Sequence, residues 1–313
     1  MRRAIQLRML PAILGCALAP LAQASTYFVI VSGLGGEPDY VQGFTEDANE
    51  LNRIYTAEGA AAHVTTLTGA NATTAQLNSA LAAVARDAKP DDDFVLVLIG
   101  HGTDDGVEYK FNLVGPDMTA GQIAALCDKI PSRRQLIVDT TSSSGGAVQA
   151  LEHPGRAVIA ATKSGTEKNA TVFARYWVEA FQDPSADTDH SESISALEAF
   201  TYAARKTAEF YDSQKRLATE HAVFNDIGSG EPVRESGNNQ GNMLASFTLL
   251  RTGGNAQVAN DPAKRALLAQ KEQLEQKIDL LKYRKPAMDP ADYRKQLTEA
   301  LVQLAHVQEA LDK

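Results

Sequence analysis

Two clusters in this 313-residue chain hold residue types able to do chemistry. The first is Gly100-His101-Gly102-Thr103-Asp104-Asp105-Gly106, which follows directly on the apolar run FVLVLIG (94–100). An imidazole between two glycines has cleared space for a substrate, and the Gly102 amide beside it is free to donate to an oxyanion. His101 is therefore a candidate general base or acid. The second cluster is Asp139-Thr140-Thr141-Ser142-Ser143-Ser144-Gly145-Gly146, at the end of the apolar run LIV (136–138). Five hydroxyls in a row after an acid read as a nucleophile loop, an anion cradle or a solvated turn. A hydroxyl is hardly ionised near neutral pH and works as a nucleophile only with a base within hydrogen-bond reach, itself oriented by a third group.

For the two clusters to cooperate, the elements before them must lie side by side. FVLVLIG is continuous and apolar, as a central parallel strand buried on both faces should be. Strands are expected at 26–33, 63–68, 94–100, 135–139 and 156–162. Helices are expected between and after them, at 39–58, 73–88, 119–129, 145–152 and 169–182. In the second helix Thr73 is placed as N-cap. This βα alternation predicts an open, mainly parallel sheet with helices on both faces, and in such sheets reacting groups gather at the strands' carboxyl ends. Both clusters sit there. A further helix is expected at 193–213 and a last strand at 243–250, at a sheet edge. The tail reads as two helices, about 262–284 and 290–312, broken at Pro286 and Pro290, an antiparallel hairpin suited to packing on itself or on another copy.

Bulk properties narrow the class. Charged residues at 22% and hydrophobic residues at 44% are ordinary globular values, which excludes disorder as the main state. The formal net charge is -9 and the region after the N-terminus has no long basic run, so the footprint of a nucleic-acid binder is missing. Met1-Arg2-Arg3, an apolar middle and Ala22-Gln23-Ala24 read as a secretory signal over 1–24, with export to a periplasm or the medium as the expectation. Ile13-Leu14-Gly15-Cys16 loosely resembles a lipoprotein box, which leaves a lipid anchor on Cys16 as an alternative. No other apolar run is long enough to span a bilayer. Cys127, on an amphipathic helix with no histidine near it, reads as a small buried hydrophobe. No cofactor is expected: SGLGGEPDY (32–40) does not complete a dinucleotide fingerprint.

Taken together, the two clusters resemble the caspase and legumain clan of cysteine peptidases. VLIGHGTDDG resembles that clan's His-Gly motif, and VDTTSSSGG its Asp/Glu-x-Cys-x-Ser-Gly motif. NLVGPDMTAGQIAALCDKIPSRRQLIV, GRAVIAATKSG and VFARYWVEAF are similar to stretches of bacterial members. ATEHAVFNDIGSG (218–230) resembles a legumain-type turn, His-x-x-x-x-Asp-x-Gly-x-Gly. The resemblance implies a caspase-like three-layer sandwich over 25–252, with the hairpin outside it. It also implies a cleft for a peptide or protein ligand, with His101 and Gly102 in catalysis. Gly35 would border that cleft, Asp105 would lie on its rim, and Lys163 would fall near the primary specificity pocket, where it could meet an acidic side chain.

The departure lies at the nucleophile. Aligning on Ser144-Gly145 places Ser142 where the family has its cysteine, and aligning on Asp139 places Thr141 there; neither register supplies a thiol. Asp139 precedes the nucleophile and need not touch His101. The expectation is a peptidase homologue of impaired activity with a retained peptide cleft. The alternative is an active serine or threonine endopeptidase using Ser142 or Thr141 with His101. A third reading is a structural envelope protein that acts through the hairpin. Asp104, Asp105, Asp226 and Gly228-Ser229-Gly230 lack the spacing of an EF-hand loop and read as solvated turns. Tyr176 and Trp177 read as core.

Overall fold

Alternate residues of the central strands face two separate cores, and that periodicity builds the molecule. The computed structural model describes residues 24–59, 62–237, 239–259, 261, 263–285 and 288–313. Most of the expected signal, with Cys16, lies outside the described residues. Strand β1 (Thr26–Ser32) is flanked by β2 (Ala62–Leu67) and β3 (Asp93–Ile99), and β3 by β7 (Arg134–Asp139), which pairs with β8 (Arg156–Ala160). These pairs are all parallel; β10 (Val223–Asn225) closes the sheet antiparallel to β8, giving the order β2-β1-β3-β7-β8-β10.

On one face Phe28, Ile30, Val95, Val97, Leu136, Val138 and Ile159 pack against α1 (Pro38–Thr56), α5 (Phe173–Ala180) and α6 (Ala196–Ser213). On the other, Val29, Val31, Leu96, Leu98, Ile137 and Val158 meet α2 (Thr74–Asp87), α3 (Ala120–Cys127) and α4 (Val148–Leu151). This is the expected three-layer α/β sandwich, in which each fully buried large side chain contributes roughly 1.5–3 kcal/mol. Trp177 is fully buried and Tyr176 nearly so, as expected of core. Cys127 is sealed in the second core, and burial pushes its thiol up to about 12. Thr73 caps α2, accepting from the Gln76 amide.

Several boundaries differ from expectation, each for a local reason. The helix expected at 169–182 begins only at Phe173, because the Val172 and Phe173 amides are taken by the Glu220 carboxylate. The helix expected at 193–213 starts at Ala196, where Ser195 and Glu198 form a capping box. The three residues before it form β9 (Ser193–Ser195). The strand expected at 243–250 is half helix: Asp226 accepts from the Gly241, Met243 and Leu244 amides, and a carboxylate so placed starts α7 (Asn242–Ala245). Only β11 (Thr248–Arg251) is strand, and it pairs with β9 in a separate ribbon, so the main sheet's edges are β2 and β10. The small antiparallel sheet β4 (Gly102–Asp104), β5 (Tyr109–Phe111) and β6 (Met118–Thr119), inserted after His101, was not anticipated.

After α8 (Gly253–Ala259), helices α9 (Arg265–Arg284) and α10 (Pro290–Leu311) pair through Leu274, Val307 and Leu311. Asp289 caps α10 at the Ala291 and Asp292 amides. The pair is fastened to the sandwich by Arg251, which bonds Glu58 near the end of α1 and Glu272 on α9. No helix among the described residues is long and apolar enough to cross a membrane.

Candidate functional site

Strands β3 and β7 are parallel neighbours, with Leu98 opposite Asp139, so their two loops leave the sheet side by side. Thr140 stitches them at the root, its amide and its Oγ1 both donating to the Leu98 carbonyl at 2.9 and 2.8 Å. The fold therefore brings His101, Gly102, Asp139, Thr141 and Ser142 into one region at the carboxyl edge.

Within that region the Gly102 amide is not free, contrary to expectation. It donates to Ser142 Oγ at 3.1 Å, and Ser142 Oγ donates to the Gly102 carbonyl at 2.9 Å. The two groups satisfy each other in a closed clasp. The space expected beside the glycine is likewise filled by the protein itself. A Cβ on Gly102 would stand 2.4 Å from the Ser142 carbonyl oxygen, 2.5 Å from the Tyr109 ring and 2.6 Å from Thr141 Oγ1. Thr141 and Ser142 are 0% and 3% exposed, so neither hydroxyl is open to an incoming carbonyl.

The His101 ring makes its contacts with α1. It meets Tyr40 and Phe44 edge-on, at centroid separations of 4.8 and 5.1 Å. Burial lowers its pKa, opposed by hydrogen bonding to the Gly35 backbone and by the charge of Glu37. Among the described residues no hydrogen bond joins the ring to Ser142 or Thr141, and no carboxylate accepts from it. Gly35 is tight against α1, since a Cβ there would fall 2.5 Å from the Val41 amide nitrogen.

Asp139 ends β7 fully buried. Its Oδ1 accepts from the Thr141 amide at 3.1 Å, and its Oδ2 has no partner among the described residues. Burial pushes the carboxyl up to about 6, against hydrogen bonding from Thr141. Tyr109, on the inserted sheet, shares a 2.7 Å hydrogen bond with Thr141 Oγ1, and burial beside Asp139 holds its phenol well above the usual range. Asp139, Thr141 and Tyr109 thus form a buried polar floor beneath the loop, away from the His101 ring's contacts.

The outlying candidates scatter. Asp105 is exposed and accepts from the Val107 and Glu108 amides, which lower its pKa and close the turn that the spacing suggested. Lys163 is 56% exposed at its side chain, with Nζ 3.7 Å from Glu167 Oε1. Glu167 stands in none of the motifs of the sequence, and His221 stands there only at the start of a turn motif. Yet His221 Nδ1 lies 2.5 Å from Glu167 Oε1, and the His221 amide donates to Oε2. The two residues are 54 positions apart, and no local pattern in the chain announces the pair.

No family model matches this sequence, and no curated protein matches it. Solved structures do. Protein GSU0716 from Geobacter sulfurreducens aligns at 15% identity over 67% of this chain and 96% of its own, with a TM-score of 0.44. The Drosophila initiator caspase Dronc aligns at 12% identity over 67% of this chain and 82% of its own, with a TM-score of 0.42. Caspase-1 from Spodoptera frugiperda aligns at 12% identity over 69% of this chain and 92% of its own, with a TM-score of 0.44. These likenesses concern the arrangement of the chain, and the chemistry of the site rests on its own contacts.

Proposed function

We propose that this chain is an exported homologue of caspase and legumain peptidases whose hydrolytic chemistry is strongly weakened or lost. Its cleft serves to bind a peptide or protein ligand, and its C-terminal helices serve assembly. The observation that carries this reading is the reciprocal pair between Ser142 Oγ and the Gly102 backbone. Acyl transfer needs the Gly102 amide aimed at a developing oxyanion and the nucleophile's proton aimed at a base. In the clasp each group is spent on the other. Opening it forfeits two buried hydrogen bonds, about 1 kcal/mol each before any desolvation cost. Among the described residues the imidazole at hand also has no carboxylate accepting from it to orient it and stabilise its charged form.

The test compares residues 25–313, Ser142→Ala and Ser142→Cys on a pooled fluorogenic peptide library. The expected result is silence in all three, because Ser142→Cys supplies a better nucleophile at a position that is only 3% exposed and closed to an incoming carbonyl. Cleavage by the unsubstituted protein that Ser142→Ala abolishes would overturn the reading.

The parallel pairing of β3 with β7, which sets the Thr141-Ser142 loop beside His101-Gly102, supports a second reading, a serine or threonine endopeptidase. That enzyme would label with a fluorophosphonate, and the label would be lost in Ser142→Ala, or in Thr141→Ala, and in His101→Ala.

A further inference from the structure

Residues 162–168, between β8 and α5, run back across the hydroxyl loop as a strap. The Ser143 amide donates to the Glu167 carbonyl at 2.8 Å. The Gly145 amide donates to Thr162 Oγ1 at 2.9 Å, and the Thr162 amide to Ser144 Oγ at 3.1 Å. The two segments touch so closely that a Cβ on Gly145 would stand 2.2 Å from the Ser164 amide nitrogen. On the far side the Asp104 carboxylate lies against Gly146 and Gly165 together, within 2.1 and 2.4 Å of where their Cβ atoms would be.

One side chain pins this strap. Glu167 Oε2 accepts from the Lys163 amide at 2.9 Å and from the His221 amide at 3.1 Å, while Oε1 meets His221 Nδ1 at 2.5 Å. Glu167 therefore holds the hydroxyl loop through its main chain and the approach to β10 through its carboxylate. What lies beneath is under constraint. Ser143 sits in the left-handed region at φ 60°, and its hydroxyl is buried with no partner among the described residues. A non-glycine residue in that region with an unsatisfied buried polar group costs free energy twice, and persists only where its surroundings over-determine it.

We infer that the strap is a latch which keeps the hydroxyl loop folded inward, and that the Glu167–His221 pair is its catch. Releasing the catch lets loop 142–145 relax its strained serine and expose its hydroxyls to the cleft. Other ties hold the loop in place, but Glu167 is where strap, loop and β10 approach meet in one residue. The inference concerns access to the loop, and stands whether or not the loop hydrolyses peptides.

The test uses thiol reactivity in the full chain. Ser142→Cys places a probe in the loop, and Cys127, sealed in the second core, reports global opening in the same molecule. Alkylation by iodoacetamide is followed by mass spectrometry at position 142 and at Cys127 separately. With Ser142→Cys alone, position 142 should react slowly. Adding Glu167→Ala, or His221→Ala, should speed its reaction at least tenfold while Cys127 stays silent, and adding Lys168→Ala on the exposed rim should change nothing. Rapid alkylation at 142 with Glu167 and His221 intact would overturn the latch. So would an unchanged slow rate in a folded double variant, or a rise at both thiols together, which would make Glu167 a general stabiliser. Should Glu167→Ala fail to fold, His221→Ala breaks the same catch from the other side and decides the matter alone.

Discussion

Two histidines face the carboxyl edge of the sheet, and they are built differently. His101 carries the motif that draws the eye, a histidine between glycines at a strand's end, yet its ring is gripped by Tyr40 and Phe44 and no carboxylate among the described residues accepts from it. His221 carries no such motif, yet its Nδ1 is set on Glu167, a carboxylate whose side chain is only 11% exposed. The difference separates a residue's place in a pattern from its electrostatic support. Catalysis by an imidazole needs both. Here the position belongs to one residue and the orienting acid to the other, which suits a cleft that holds its loops in place more readily than it moves protons.

The largest effect expected comes from breaking the His101 side of this comparison. Gly102→Ala forces a methyl group into contacts of 2.4–2.6 Å with the Ser142 carbonyl, Tyr109 and Thr141. Two of these are on the buried floor and cannot swing aside. Denaturant unfolding should show a loss of about 3 kcal/mol or more. Gly106→Ala, four residues on, has open space around its Cβ and only a φ of 87° against it, so about 1 kcal/mol is expected. Similar losses at the two glycines would mean that the clasp is looser than its distances.

Next is the floor itself. Asp139 titrates at about 6 in the folded chain, above its value of roughly 3.9 when unfolded, so the folded state holds this proton more tightly. Its contribution is full below about pH 4 and is lost as pH rises through about 6, an effect of roughly 2–3 kcal/mol across that window. Asp47 and Glu220, raised by burial to about 6 and about 7, push in the same direction. Their effect cancels when the unsubstituted protein is compared with Asp139→Asn. The difference in stability between the two should therefore shift by about 2 kcal/mol between pH 4 and pH 7, in favour of Asp139→Asn at the higher pH. A difference that stays constant across the window would place a partner on Asp139 Oδ2.

How much of this was legible in the sequence follows the same division. The sheet was readable because continuous apolar runs such as FVLVLIG leave little choice about what they pack against. The pairing of the two loops followed from parallel neighbours, and Cys127 and Trp177 followed from the apolar residues around them. What stayed hidden was side-chain-to-backbone capture across long separations. Asp226 starts a helix 16 residues on, Glu220 delays the start of α5, and Ser142 takes up the Gly102 amide 40 positions away. Such contacts have no period. A free amide beside His101 was the natural expectation from composition alone, and only the fold shows that the neighbouring hydroxyl has claimed it.

A paired substitution sharpens the contrast between the histidines. His221→Ala leaves the Glu167 carboxylate, largely buried, without its ring partner, and hydrogen bonds to charged groups of this kind contribute about 1.5–3 kcal/mol. His101→Ala removes edge-on aromatic contacts from a half-buried ring, for about 1 kcal/mol. Thermal unfolding of the two variants should rank them in that order. The reverse ranking would place the more heavily supported histidine in the His-Gly motif after all.

The smallest effect tests whether Glu167 depends on all its neighbours equally. Lys163 Nζ approaches Glu167 at 3.7 Å with its side chain 56% exposed, so water and salt screen the attraction and the long side chain loses rotamer freedom in making it. Lys163→Ala should cost under about 0.5 kcal/mol, and high salt should erase even that. The main-chain tie from the Lys163 amide to Glu167 Oε2 survives the substitution, because any residue other than proline supplies it. A loss approaching that of His221→Ala would show that the ammonium, and not the imidazole, steadies the carboxylate. Glu167 would then owe its support to Lys163, and His221 would be no better supported than His101.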